Sequence, residues 1–296
     1  MKKIIKSFLA AIGAFFVVII LFSIFIALIF GNDDTPRFGD KVAIVEIQGV
    51  ILDSTSVIRE LQAYAKRDDV KAVILRINSP GGSVGPSQEI YSEVKRLREK
   101  KRVVASMGSV AASGGYYIAA AADKIVANPG TITGGIGVII EFLNTEELFK
   151  KLGLKGFVIK SGKFKDTGSP MRELTEEDRE LMQGVVDDVH SQFVMAIAEG
   201  RGMKVEDVSA YADGRIFSGA QALTLGFVDS LGSLSDAIDL SAELAGLSGE
   251  PKVIYPKKPT GLLGRLFDED ASALISELFM GLKVMYLLPD LSGSAS

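Results

Sequence analysis

Ser113 stands in the run Ala111-Ala112-Ser113-Gly114-Gly115-Tyr116-Tyr117, small residues at the expected start of a helix. A serine there can cap the helix with its hydroxyl. The same position suits a nucleophile, because open backbone amides and the helix dipole stabilise developing negative charge. Residue chemistry leaves both readings open, with Ser109 as the local competitor. A second glycine turn, Asn78-Ser79-Pro80-Gly81-Gly82, follows an apolar run. Its paired glycines let amides point into a cleft and hold a carbonyl oxygen as it becomes an oxyanion. An ordinary strand-to-helix turn is the plainer reading. A phosphate-binding loop is excluded, since Gly-x-x-x-x-Gly-Lys-Ser/Thr does not occur.

A serine nucleophile needs a base. The chain has one His and no Cys, so thiol catalysis, disulfides, thiolate metal sites and three-histidine zinc sites are excluded. His190 falls inside an expected long helix, beside Val189 and far from either glycine turn, and reads as a helix residue. Lysine serves as a base when burial lowers its pKa from about 10.4 towards roughly 7 or 8. The segment Lys160-Ser161-Gly162-Lys163-Phe164-Lys165-Asp166 offers three such lysines. Strand-like alternation puts Lys163 and Lys165 on one face, opposite Phe164. Nothing in the spacing chooses among them, and a solvated loop edge is the plain reading of each. Asp166-Thr167-Gly168-Ser169 imitates the aspartic-protease signature, but that chemistry needs two carboxylates and no second copy occurs.

Elements that could position these residues follow from periodicity. Strands are expected over 41–51, 70–77, 102–106 and 124–127, with a fifth over 157–160. Helices are expected over 56–66, 87–99, the second half of 108–122, 175–200, 203–212, 218–226 and 235–245. Thr175 and Asp178 form a capping arrangement for the long helix, whose apolar residues run almost all round it. Such a helix is expected between layers or subunits. Strands alternating with helices predict an α/β fold around a largely parallel sheet, with the site in a crevice at the strands' carboxyl ends.

The chain has 296 residues, 33 Lys plus Arg against 37 Asp plus Glu, and a formal charge of -4. That balance gives no basic stripe for nucleic acid. Residues 8–30 are 23 residues without a charge, preceded by Lys2, Lys3 and Lys6 and followed by Asp33 and Asp34. About 20 apolar residues span a bilayer. The expectation is an uncleaved signal anchor in the cell membrane, touching lipid, with residues 1–7 cytoplasmic and the rest extracytoplasmic. Residues 31–39 then form a linker, 40–250 a catalytic domain, and 251–296 a peripheral tail.

Five segments together resemble one family. AASGGYY at 111–117 resembles the nucleophile segment of bacterial signal peptide peptidase A, a membrane-bound serine–lysine protease. NSPGG at 78–82 is similar to the same family and to its relatives, the Clp proteolytic subunit and the crotonases. TGGIGV at 133–138, GKFKD at 162–166 and DGRIFSGAQALTLGFVDSLG at 213–232 resemble its later segments, in the expected order. The likeness covers roughly residues 40–235 and extends to the apolar N-terminus.

The resemblance implies a Clp protease/crotonase-like fold preceded by one transmembrane helix. It makes Ser113 the nucleophile and Lys165 the general base. It assigns the oxyanion amides to Gly114 and to Gly82 or Gly81. The family often has a serine at the third position of TGGIGV, where it helps orient the lysine; here that residue is Gly135, and Thr133 is the accessory candidate. No cofactor or metal is implied. The expected substrates are cleaved signal peptides and other unfolded apolar peptides, and the expected assembly is a homo-oligomer, an octamer with sites shared between neighbours. The competing expectations are a crotonase-like acyl-CoA enzyme and a membrane scaffold, non-catalytic or partnered with stomatin-like proteins.

Overall fold

The β-branched runs become the central strands of the computed structural model, which describes residues 15, 17, 18, 39–256 and 285–287. β1 (Lys41–Ile51), β2 (Val70–Ser83) and β3 (Arg102–Ala112) lie side by side and parallel. β4 (Lys124–Ala127) and β5 (Ile132–Gly134) pair parallel with β3 on its other edge, one after the other. β6 (Ile216–Ser218) joins β5 antiparallel, and β7 (Ser230–Leu231) joins β4. From the segment read as a tail, β8 (Lys252–Ile254) extends the sheet beyond β1. β9 (Met285–Leu287) runs antiparallel along Gly81–Ser83 of β2. The sheet is therefore mixed, where the alternation of strands and helices predicted a largely parallel one.

Period-2 alternation assigns the strand residues to two faces. Ala43, Val45 and Ile47 of β1 join Val73, Leu75 and Ile77 of β2 on one face. That face is covered by α1 (Thr55–Ala65), α2 (Val84–Arg98), α3 (Gly114–Ala119) and α5 (Glu176–Arg201), through Leu61, Ile90, Ile118 and Phe193. Val42, Ile44, Ala72, Ile74 and Val104 point the other way, against Ala237 and Ala242 of α8 (Leu234–Leu244). Both faces are thus shielded, as parallel strands require. Each large aliphatic buried this way contributes about 1.5–3 kcal/mol. Short helices α4 (Glu146–Lys151), α6 (Val205–Ser209) and α7 (Gly219–Thr224) complete the described elements.

Several expectations need correction. Residues 157–160 form no strand; Phe157 and Ile159 are almost wholly exposed, and the segment pairs with no strand among the described residues. Asn78–Gly82 is not a turn after β2 but its last stretch, paired with β1 through Val50↔Gly81 and Ile51↔Gly82. β3 likewise runs on to Ala112. The capping of α5 is as expected: Thr175 and Asp178 form a reciprocal capping box, and Gly202 closes the helix at φ 62°. Its apolar residues are buried only in the second half, around Phe193 and Ile197, while Asp178 is buried in the first turn; Leu181 and Val185 lie on the surface.

The chain divides into two compact units, residues 1–39 and 40–296, and the sheet belongs to the second. In the first, only Phe15, Val17 and Val18 of the expected signal anchor are described, as exposed helical residues; the rest of 8–30 lies outside the described residues. Among the described residues, no helix is long and apolar enough to cross a membrane. The transmembrane helix, its lipid contact and the single-pass membrane location are corrected accordingly.

Candidate active site

Ser113 follows β3 and precedes α3 with φ 52° and ψ −119°. It is the one non-glycine residue with positive φ among the described residues. L-residues avoid this region, and the strain persists only where surrounding structure imposes it. Here Ser113 N–H donates to Gly134 O at 2.8 Å, and Ser113 O accepts from Tyr117 N–H at 2.8 Å. Its side chain makes no capping bond. The residue is 1% exposed, and its Oγ has no hydrogen-bond partner among the described residues. A buried hydroxyl without a partner is costly to keep, so the capping role does not account for Ser113. Ser109, by contrast, is exposed.

The two glycine segments meet here. A Cβ built on Gly114 would lie 2.6 Å from Ser87 Oγ, 3.3 Å from Gly82 N and 3.4 Å from Gly81 Cα. Gly114 thus backs directly onto Gly81–Gly82. Gly81, at φ 112°, donates its N–H to Ser79 Oγ at 3.1 Å. That amide is engaged by the Ser79 hydroxyl; Gly82 N lies 3.3 Å from where a Gly114 Cβ would stand. Spacing alone left these two glycines undistinguished. Gly82 is also pressed against β1, where a Cβ would come within 2.2 Å of Ile51 O.

Thr133 is fully buried and donates its hydroxyl to Ala111 O at 2.7 Å, bracing the strand that leads to Ser113. Gly135 sits at φ 61° and donates its N–H to Arg215 O at 2.8 Å. The left-handed backbone at this position favours glycine.

The three lysines have distinct surroundings. Lys160 Nζ bonds Asp166 Oδ1 at 2.7 Å and Lys163 O at 2.9 Å. Lys163 pairs with Glu177 and lies over the Phe164 ring. Among the described residues, no ion pair or side-chain hydrogen bond of Lys165 is formed, and the residue is exposed. No hydrogen bond joins Lys165 to Ser113 within one chain among the described residues. Its loop is nonetheless anchored. Arg172 holds Asp166 with two nitrogens and Asp178 Oδ2 with a third at 2.6 Å. The Arg172 hydrogen bond, followed by that of Lys160, lowers the Asp166 pKa to about 2. Asp166 is thus a fixed anion in an arginine clamp, which answers the aspartic-protease imitation. His190 lies elsewhere: Nε2 meets Ala212 O at 2.7 Å, holding α5 to the segment after α6.

Residues that motif reading passed over also gather here. Ser87 donates to Ser83 O at 2.9 Å, and Ser83 Oγ is a second buried hydroxyl without a partner among the described residues. Backbone pairing with β9 covers the Gly81–Ser83 edge. No cluster of His, Asp or Glu suited to a metal ion occurs among the described residues.

The model of Peptidase family S49 matches residues 95–248, and that of Clp protease matches residues 40–131. A Synechocystis sp. protein provisionally named a protease is 48% identical over 209 residues, covering 70% of this chain and 75% of the relative. A Methanocaldococcus jannaschii protein, also provisionally named a protease, is 38% identical over 213 residues, covering 72% and 68%. An Enterococcus faecium protein provisionally named a signal peptide peptidase is 35% identical over 235 residues, covering 75% and 68%.

Proposed function

The chain belongs to peptidase family S49 and is a serine protease; from that premise we propose that Ser113 is its nucleophile and Lys165 its general base. The strained, buried and uncapped Ser113 beside Gly82 and Gly114 is the observation that carries this reading. The ion pairs of Lys160 and Lys163 support Lys165 as the base.

Neutral Lys165 takes the proton from Ser113 Oγ as that oxygen attacks the peptide carbonyl carbon. The carbonyl oxygen becomes an oxyanion held by the N–H groups of Gly82 and Gly114. Protonated Lys165 gives its proton to the leaving amine as the C–N bond breaks, leaving an acyl ester on Ser113. Water gives a proton to the same lysine as it attacks the ester carbon; the bond to Ser113 Oγ breaks, the lysine returns that proton to Oγ, and the acid leaves.

Lys165 reaches Ser113 from a second copy of the chain. Exposed Leu143, Leu152, Phe157 and Ile159 around the lysine loop support an interface there. The substrates proposed are extended apolar peptides, cleaved signal peptides among them. The antiparallel seat of residues 285–287 on Gly81–Ser83 supports an extended backbone in that edge.

Hydrolysis of a fluorogenic apolar peptide tests the reading. The parent protein should turn over, and Ser113→Ala and Lys165→Ala should fall to background with assembly intact. Undiminished hydrolysis by Ser113→Ala would sink the assignment.

A further inference from the structure

β3 is broken in the middle, on both of its edges. Its register with β2 jumps from Ile77↔Met107 to Ser79↔Ala111, so Asn78 spans the gap opposite Gly108, Ser109 and Val110. On the other edge β3 leaves β4 at Met107↔Ala127 and takes up β5 at Val110↔Ile132. A bulge of this kind strips backbone groups of their ladder partners, and side chains must replace them. Asn78 Oδ1 accepts from Ser109 N–H at 3.1 Å and from Val110 N–H at 3.2 Å. Arg76 and Asn128 donate to Met107 O, and Thr131 donates to Gly108 O.

Asn78 differs from the others in where it sits. It immediately precedes Ser79-Pro80-Gly81-Gly82, and its oxygen grips β3 three and four residues before Ser113. We propose that Asn78 is a positioning residue: its side-chain oxygen ties the strand carrying the Gly82 amide to the strand carrying Ser113, and so sets the nucleophile against the oxyanion site. This rests on the Ser113 and Gly82 roles proposed above. Gly108 is part of the device, since a Cβ there would lie 3.0 Å from Asn78 Oδ1 and 3.1 Å from Asn78 Cβ. Asn78 itself is exposed, so its removal leaves the two amides to water and costs the core little.

The test compares the full chain with Asn78→Ala, Asn78→Asp and Gly108→Ala. Peptide hydrolysis, labelling of Ser113 by a fluorophosphonate, and melting temperature are read on each. Displacing a reacting group by about 1 Å costs roughly 100-fold, so Asn78→Ala should lower kcat about 10- to 100-fold. KM should stay within about threefold, the mark of an interaction felt in the transition state. Asn78→Asp keeps the accepting oxygen and should recover most of the rate. Gly108→Ala should mimic Asn78→Ala, and the double variant should be no worse than either alone. Unchanged kcat in Asn78→Ala beside an active parent overturns the proposal, and so does an Asp variant as poor as the Ala variant. A fall in melting temperature that alone explains the lost rate overturns it too. A parent that neither hydrolyses peptide nor labels at Ser113 defeats the assignment of the nucleophile, and this proposal with it.

Discussion

Arg172 grips Asp166 in a two-pronged bond, Nε to Oδ2 at 3.1 Å and Nη2 to Oδ1 at 3.0 Å. Asp166 is the immediate neighbour of Lys165, so the clamp fixes the loop that presents the proposed base. A lysine cannot reproduce that planar fork. Arg172→Lys should therefore lower kcat by about tenfold through misplacement of Lys165. Steady-state kinetics on the apolar peptide checks this, and an unchanged kcat would leave the clamp a purely structural feature.

The same clamp sets an acid limit. Arg172 and Lys160 depress the Asp166 pKa to about 2, below its ordinary value of 3.8. Because the folded value is the lower one, the stabilisation is fully present above the ordinary value. It is lost as pH falls through about 2. The melting temperature of the parent should exceed that of Asp166→Asn at neutral pH, and the gap should close between about pH 4 and 2. A gap that stays constant over that window would assign the anchoring to some other group.

Gly114 admits no side chain without moving what surrounds it. A Cβ would fall 2.6 Å from Ser87 Oγ, and Gly82 N would lie next in line at 3.3 Å. Gly114→Ala should cost about 100- to 1000-fold in kcat, the loss typical of a disturbed oxyanion donor. Ser87→Ala removes the nearest obstacle, so the double variant should regain part of that loss. If Ser87→Ala gives no relief, the damage lies in the Gly82 backbone.

Much of this framework was legible in the sequence, for reasons that particular residues make plain. Val42, Ile44, Ile74 and Val104 alternate with Ala43, Val45 and Leu75 because a sheet covered on both faces needs apolar residues on both. Thr175 and Asp178 announce a helix start because the capping bonds are local. The missed features are non-local. Pro80, Gly81 and Gly82 look like a turn, and only Ile51 and residues 285–287 make them strand. Residues 157–160 have strand composition but pair with no strand among the described residues. The ion pairs of Lys160 with Asp166 and of Lys163 with Glu177 are contacts that periodicity does not foretell. Whether Ser113 caps its helix depends on one dihedral angle, and the glycines around it permit either conformation.

The backbone seat of β9 makes a prediction about access. Gly81↔Leu287, Gly82↔Tyr286 and Ser83↔Met285 are paired, so the chain's own strand holds the edge proposed for substrate. A competitor that leaves only a fraction of sites open raises the apparent KM by the inverse of that fraction. A protein ending at residue 256 keeps β8 but lacks this strand. Its KM for a peptide substrate should fall about tenfold with kcat little changed, if a tenth of the sites are open in the full chain. Equal KM values in the two proteins would mean that peptide binds elsewhere than along Gly81–Ser83.

The separation of Ser113 from Lys165 yields the most direct test of how the dyad forms. Ser113 Oγ is buried without a partner among the described residues, while Lys165 is exposed in the loop after Gly162. If the lysine of one copy serves the serine of another, two dead variants can complement each other. Ser113→Ala retains a working Lys165, and Lys165→Ala retains a working Ser113. Mixed in equal amounts under conditions that exchange subunits, random pairing should unite an intact serine with an intact lysine at roughly a quarter of sites. Activity should therefore rise from background towards roughly that share of the parent rate. An inert mixture, with exchange demonstrated and the parent active, would require Lys165 to act within its own chain. The loop from Lys160 to Arg172 would then have to swing inward, breaking the Arg172–Asp166 clamp or carrying it along as a unit.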